Sequence, residues 1–390
     1  MQGNPKYCRR FSSILVALLF FLNETGSWSK ARGAEEEEEA PMQPTETSAQ
    51  GLYPAMFIFG DSLVDNGNNN ILTTLARADF PPNGVDFGSG WPTGRFCNGR
   101  TVSDYIGILL GIDPVPAYLA MLGESDLEGL QHGVNFASGA AGILDESGYN
   151  YLGRIPMSQQ LGYFASLKED LVNQRGEVDA RAFLHKSVFM SILGSNDYIN
   201  NYLLSDSSAR RVYNAQAYQD LVVSTYVQQL QALYENGARK IVVFGVGPLG
   251  CIPNIMFVFK SPDGSCIENP VNKLVRSFNI ALESSLEDLM KKHKGLYILY
   301  ADTYNKMVSF TQNSTLYGFA NGNTSCCGQG KYGAETPCLP TSFVCSDRSS
   351  YVFWDSHHPS DRANLLMSSD YVSGGNEFIR PMNLLQLAIL

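Results

Sequence analysis

Ile241-Val242-Val243-Phe244, then Leu274, Phe278, Leu282, Leu286 and Leu289, then Leu296-Tyr297-Ile298-Leu299-Tyr300: the reading of this stretch decides the fold. The two flanking apolar runs are of strand length and uninterrupted, as strands covered on both faces are. The five residues between them recur at helical spacing, and Lys291, Lys292 and Lys294 ahead of Gly295 supply a stop signal. A helix of that length returns the chain to the end where it started, so the stretch is a β-α-β unit with parallel strands. Upstream, Tyr218, Val222, Tyr226, Leu230 and Leu233 mark another helix, ending at Gly237. Residues 188–193 and 55–59 are further apolar runs that read as buried strands. Alternating strands and helices imply a parallel sheet with helices on its faces, and the apolar stripes on those helices belong to the core. No repeat and no shift of composition follows residue 51, so residues 51–390 are expected to form a single α/β domain. Segments 80–100 and 310–350 are loop-rich and are expected over the sheet's carboxyl edge, where open α/β folds place ligands.

Ahead of that domain, Lys6, Arg9 and Arg10 precede the twelve-residue apolar run 11–22 and the small residues Ser27 and Ser29. That order describes a secretory signal peptide over residues 1–29. The run is shorter than a bilayer span requires, which disfavours a retained anchor. Residues 30–50, with Glu35 to Glu39, Pro41 and Pro44, lack apolar anchors and read as a disordered acidic leader. The whole chain is 390 residues long, 44% hydrophobic and carries a net charge of −10. Beyond residue 29, 25 basic side chains face 37 acidic ones, a net −12, with no basic run interleaved with aromatics; nucleic acid is not an expected partner. Secretion implies an extracellular destination such as the cell wall space, with no stable membrane span after cleavage.

An oxidising route also bears on the cysteines. Cys8 leaves with the signal peptide, and six of the remaining seven, Cys251, Cys266, Cys326, Cys327, Cys338 and Cys345, fall in the second half among Gly, Pro and Asn. These are expected in disulfides of undetermined connectivity. A zinc site is disfavoured, because Cys326 and Cys327 are adjacent and no Cys-x2-Cys spacing occurs. Cys97 is left over. Asn313-Ser314-Thr315 and Asn323-Thr324-Ser325 are N-glycosylation sequons and predict an exposed loop.

Chemistry enters directly after the strand at 55–59, at Gly60-Asp61-Ser62-Leu63-Val64-Asp65-Asn66-Gly67-Asn68-Asn69. A serine just past a buried strand is presented at the sheet's carboxyl edge, and Gly60 permits a sharp exit. No serine has glycines at both −2 and +2, so the nucleophile elbow of the α/β-hydrolase fold is absent. Phe59 to Asn69 resembles the first block of the GDSL esterase/lipases, the plant branch of the SGNH hydrolases. The later blocks follow in order: 133–142 (Gly-Val-Asn-Phe-Ala-Ser-Gly-Ala-Ala-Gly), Gly194-Ser195-Asn196-Asp197, and Asp355-Ser356-His357-His358-Pro359. Residues 90–96, 98–100, 245–253 and Phe353-Trp354 extend the likeness, which runs from about residue 53 to the C-terminus. Cys97 departs from it, the family more often having serine there.

The resemblance implies a three-layer α/β/α sandwich around a mostly parallel five-stranded sheet. It implies Ser62 as nucleophile, Asp355 and His358 as the activating pair, and an oxyanion hole from the Ser62 N–H, a glycine N–H and the Asn196 side chain. Gly139 is the first choice of glycine and Gly142 the fallback. Isolated, the second block reads as a close-packed turn and Asn196 as a helix cap.

The residues themselves narrow the base. Of five histidines, His293 sits among lysines, and His132 and His185 have no carboxylate at comparable spacing. Asp355 and His358 are three apart on a turn, so the carboxylate can hold one ring nitrogen while the other faces Ser62. His357, two residues from Asp355, reads as a neighbour. The expected reaction is cleavage of a carboxylic ester through an acyl-enzyme on Ser62, with no metal or organic cofactor. Acyl transfer to an alcohol and ligand binding without turnover are the alternatives.

Overall fold

The computed structural model describes residues 51–122 and 131–390; the expected signal peptide and leader lie outside the described residues. Four strands pair in parallel, in chain order: β1 (Met56–Gly60), β2 (Val188–Ile192), β3 (Lys240–Phe244) and β4 (Tyr297–Ala301). They pair without stagger, so Gly60, Ile192, Phe244 and Ala301 are successive partners at one edge. Whatever follows each strand therefore emerges side by side, which is how a serine at 62 and an asparagine at 196 come to share a site.

Every residue of β1, β2 and β3 is buried, as the uninterrupted apolar runs require when helices cover both faces. The longer helices are α1 (Val102–Leu110), α2 (Met157–Arg175), α3 (Glu177–Lys186), α4 (Ala215–Glu235), α5 (Lys273–Lys292), α6 (Thr303–Gln312) and α7 (Asp361–Ser373). Helix α2 packs on α3 and α4, and α4 on α5; α1 packs on α7. The sheet edge is held by an aromatic cluster in which Phe57 stacks on Phe189 at 5.0 Å and Phe59 on Phe136 at 5.1 Å between ring centres. Each such pair adds about 0.5–1.5 kcal/mol beyond its area burial.

A ribbon of β5 (Asn321–Ser325) and β6 (Tyr351–Phe353) carries the last block, and the fifth strand of the main sheet is β7 (Ile379–Arg380), antiparallel to β4. The segment around Val134 forms no full strand: it makes a parallel bridge to Ile58 on the free side of β1, then Ser138 N–H donates to the Gly60 carbonyl at 3.1 Å. Its effect is to lay residues 138–140 beside the end of β1.

The six second-half cysteines form Cys251–Cys266, Cys326–Cys345 and Cys327–Cys338. Cys97 is free and buried, and burial pushes its thiol well above the usual range. It is thus not the accessible thiol that an unpaired cysteine in a secreted chain would raise as a concern. Asn313 is exposed at the end of α6; Asn323 is exposed on β5, a strand where a loop was expected. No helix among the described residues is long and apolar enough to cross a membrane.

Candidate active site

Ser62 sits two residues past β1, and the chain exit there is tightly specified. The φ of Gly60 is not in the left-handed region; the glycine is needed for space, because a Cβ would collide with Val64 and approach the Ile192 carbonyl. Buried Gln160 from α2 clamps the same residue, its Oε1 accepting from Gly60 N–H at 2.9 Å and its Nε2 donating to the Gly60 carbonyl at 2.8 Å. Sequence reading missed Gln160, whose signal is only a polar residue on the buried face of a helix.

Opposite, the turn after β6 folds on Asp355. Its Oδ1 accepts the backbone N–H groups of His357 and His358, each at 2.8 Å, and His358 Nδ1 lies 2.9 and 2.8 Å from the two carboxylate oxygens. Burial alone would push the Asp355 carboxyl up, but His358 and these donors hold it below its ordinary value. His358 Nε2 then lies 2.8 Å from Ser62 Oγ. The Phe96 ring packs on His358 with centres 5.2 Å apart, and buried Trp354 donates its indole N–H to Asn83 Oδ1 at 2.9 Å, fixing the turn from below.

The third block divides its labour by residue. Gly194 has φ 117°, which a side chain would resist. Asn196 donates Nδ2–H to the Ala141 carbonyl at 2.8 Å and accepts from Asn200 on Oδ1, leaving one Nδ2 hydrogen uncommitted. Asp197, unremarked in the sequence, is buried and accepts from Ile143 N–H, Leu144 N–H and Ser147 Oγ at 2.9, 2.9 and 2.7 Å, so it suspends the loop of the second block.

That loop corrects the sequence expectation for the oxyanion glycine. Gly139 donates its N–H to Asp65 Oδ2 at 2.9 Å, so its proton is already taken, and neither Gly139 nor Gly142 lines the cavity. The residue between them that does is Ala140, at φ 67°. The N–H groups of Ala140 and Ser62 donate to no other described residue. Nothing local in a run of small residues distinguishes these N–H groups; the buried carboxylate of Asp65, 74 residues earlier in the chain, decides it by taking the Gly139 N–H.

Ser62, His358, Ala140 and Asn196 open on a cavity of about 390 Å³, whose walls include Phe80, Phe96, Ile199, Leu249 and Ile252, with exposed Leu75 and Leu339 toward the solvent. Phe80, Phe96 and residues 337–339 come from the two stretches expected there, while residues 75–77 lie just ahead of the first. Asp61 also lines it; its Oδ1 accepts from Leu63 N–H at 3.0 Å, its Oδ2 is buried without a partner, and burial pushes the carboxyl up to about 7.

A serine hydroxyl, an imidazole and a carboxylate in a line, with uncommitted donors facing the same space at the carboxyl edge of an α/β/α sandwich, define the class of serine ester hydrolases. The chain belongs to the GDSL-like Lipase/Acylhydrolase family, whose model matches residues 56–370. It is 40% identical over 383 residues to GDSL esterase/lipase At1g71691 of Arabidopsis thaliana, covering 97% of each chain. To GDSL esterase/lipase 7 of the same plant it is 41% identical over 346 residues, covering 87% of this chain and 93% of the relative. It is a carboxylic ester hydrolase.

Proposed function

We propose that the chain is secreted by way of a signal peptide at residues 1–29, and that its 51–390 domain cleaves carboxylic esters through an acyl-enzyme on Ser62. The observation that carries this reading is the continuous relay from Asp355 through His358 to Ser62 Oγ, with 2.8 Å at each join. His358 takes the Ser62 proton as the oxygen attacks the ester carbonyl, and Asp355 holds the ring and stabilises the imidazolium that forms. The oxyanion is met by the N–H groups of Ser62 and Ala140 and the free hydrogen of Asn196 Nδ2. On collapse His358 returns the proton to the departing alcohol oxygen; the same nitrogen then activates water, which releases the acid.

S62A and H358A are each expected to lose roughly 10⁴- to 10⁶-fold in kcat on a short-chain aryl ester. An H358A protein of near-normal activity contradicts the base role.

A further inference from the structure

His357 stands next to the proposed base but is held differently. Its backbone N–H is on Asp355, while its ring Nδ1 is 2.9 Å from the hydroxyl of buried Ser356. Its Nε2 has no partner among the described residues, and the residue lines the cavity with Ser62. The rings of His357 and His358 are centred 6.0 Å apart with their planes at 48°. Burial pushes His357 down to about 4, so through the neutral range it is an uncharged imidazole. Such a ring, fixed at one nitrogen, offers one donor or one acceptor at the other, according to tautomer.

The side of the substrate that His357 meets follows from the chemistry. In the acyl-transfer step the proton on His358 Nε2 goes to the departing alcohol oxygen, so the alcohol half of the ester leaves past His358. A group centred 6.0 Å from that ring is within reach of the alcohol's next atoms. The cavity's walls are largely apolar, with Phe96, Leu249 and Ile252 among them. An apolar alcohol would leave His357 Nε2 without water or a partner, while a second hydroxyl, both donor and acceptor, satisfies either tautomer.

We propose that His357 Nε2 hydrogen-bonds a hydroxyl on the alcohol half of the substrate, so that this enzyme prefers esters of polyols to esters of simple alkanols. The inference rests on the reading of His358 as the base. The test compares kcat/KM for glyceryl monobutyrate and propyl butyrate, which share the acid and the alcohol's carbon number, in wild type, H357L, H357Q and H358A. The ratio of the two is independent of the fraction of enzyme that is folded. Wild type is expected to favour the glyceryl ester, H357L to lose about tenfold of that ratio, the size of one hydrogen bond, and H357Q to recover most of it. An unchanged ratio in H357L, or no preference in the wild type, overturns the inference while an inert H358A leaves the base assignment standing. An active H358A overturns that assignment and this inference with it.

Discussion

Around Ser62, side chains that do not react decide which atoms are free to. Asp65 takes the Gly139 N–H and leaves that of Ala140, and Asp355 spends one oxygen on two backbone donors while keeping both near His358 Nδ1. Asp61 has a different consequence. Its carboxyl, pushed up to about 7 by burial, binds a proton in the folded state at pH values where the unfolded chain, near 4, has lost it. The stability that Asp61 contributes is therefore lost as pH rises from about 4 through about 7. D61N copies the protonated form at every pH. Its Tm should match the wild type near pH 4 and exceed it by a widening margin up to pH 8; a constant difference across that range would show that Asp61 ionises freely. Ser62, Asn196, Asp355 and His358 could be singled out in the sequence because each sits in a block of recognisable local order, and the structure brings all four to one cavity. Ala140 could not, since the choice among neighbouring N–H groups is made by Asp65, more than seventy residues earlier.

At the scale of elements, apolar runs at 55–59, 188–193, 241–244 and 296–300 mapped onto β1 to β4 within a residue or two, because strands covered on both faces leave uninterrupted apolar sequence. The two-residue β7 left no such trace, and the segment at Val134 pairs through too few residues to form a full strand. Disulfide connectivity was illegible for a related reason: pairing depends on how the ribbon of β5 and β6 brings Cys326 and Cys327 to their partners. The loop at 140–147 is the element on which the site most depends, and Asp197 suspends it. D197A would leave two buried N–H groups unpaired and the buried Ser147 hydroxyl without its acceptor. At about 1–3 kcal/mol for each, the loss should exceed about 3 kcal/mol in urea unfolding and should carry activity with it. A D197A protein of wild-type stability would show that the loop is held by other means.

At the scale of the whole molecule, the unstaggered sheet turns a linear order of motifs into a common edge. Residues 62, 140, 196 and 358, with 296 positions between the first and the last, face one cavity because each follows or abuts a strand that ends there. The claim that this edge performs acyl transfer on Ser62 is tested most directly by mass spectrometry of the folded enzyme after treatment with a serine-directed fluorophosphonate. One adduct per chain, located on Ser62, absent from S62A and formed far more slowly in H358A, is the predicted result. Ester hydrolysis by a protein that takes no label, or a label that persists in S62A, would contradict it.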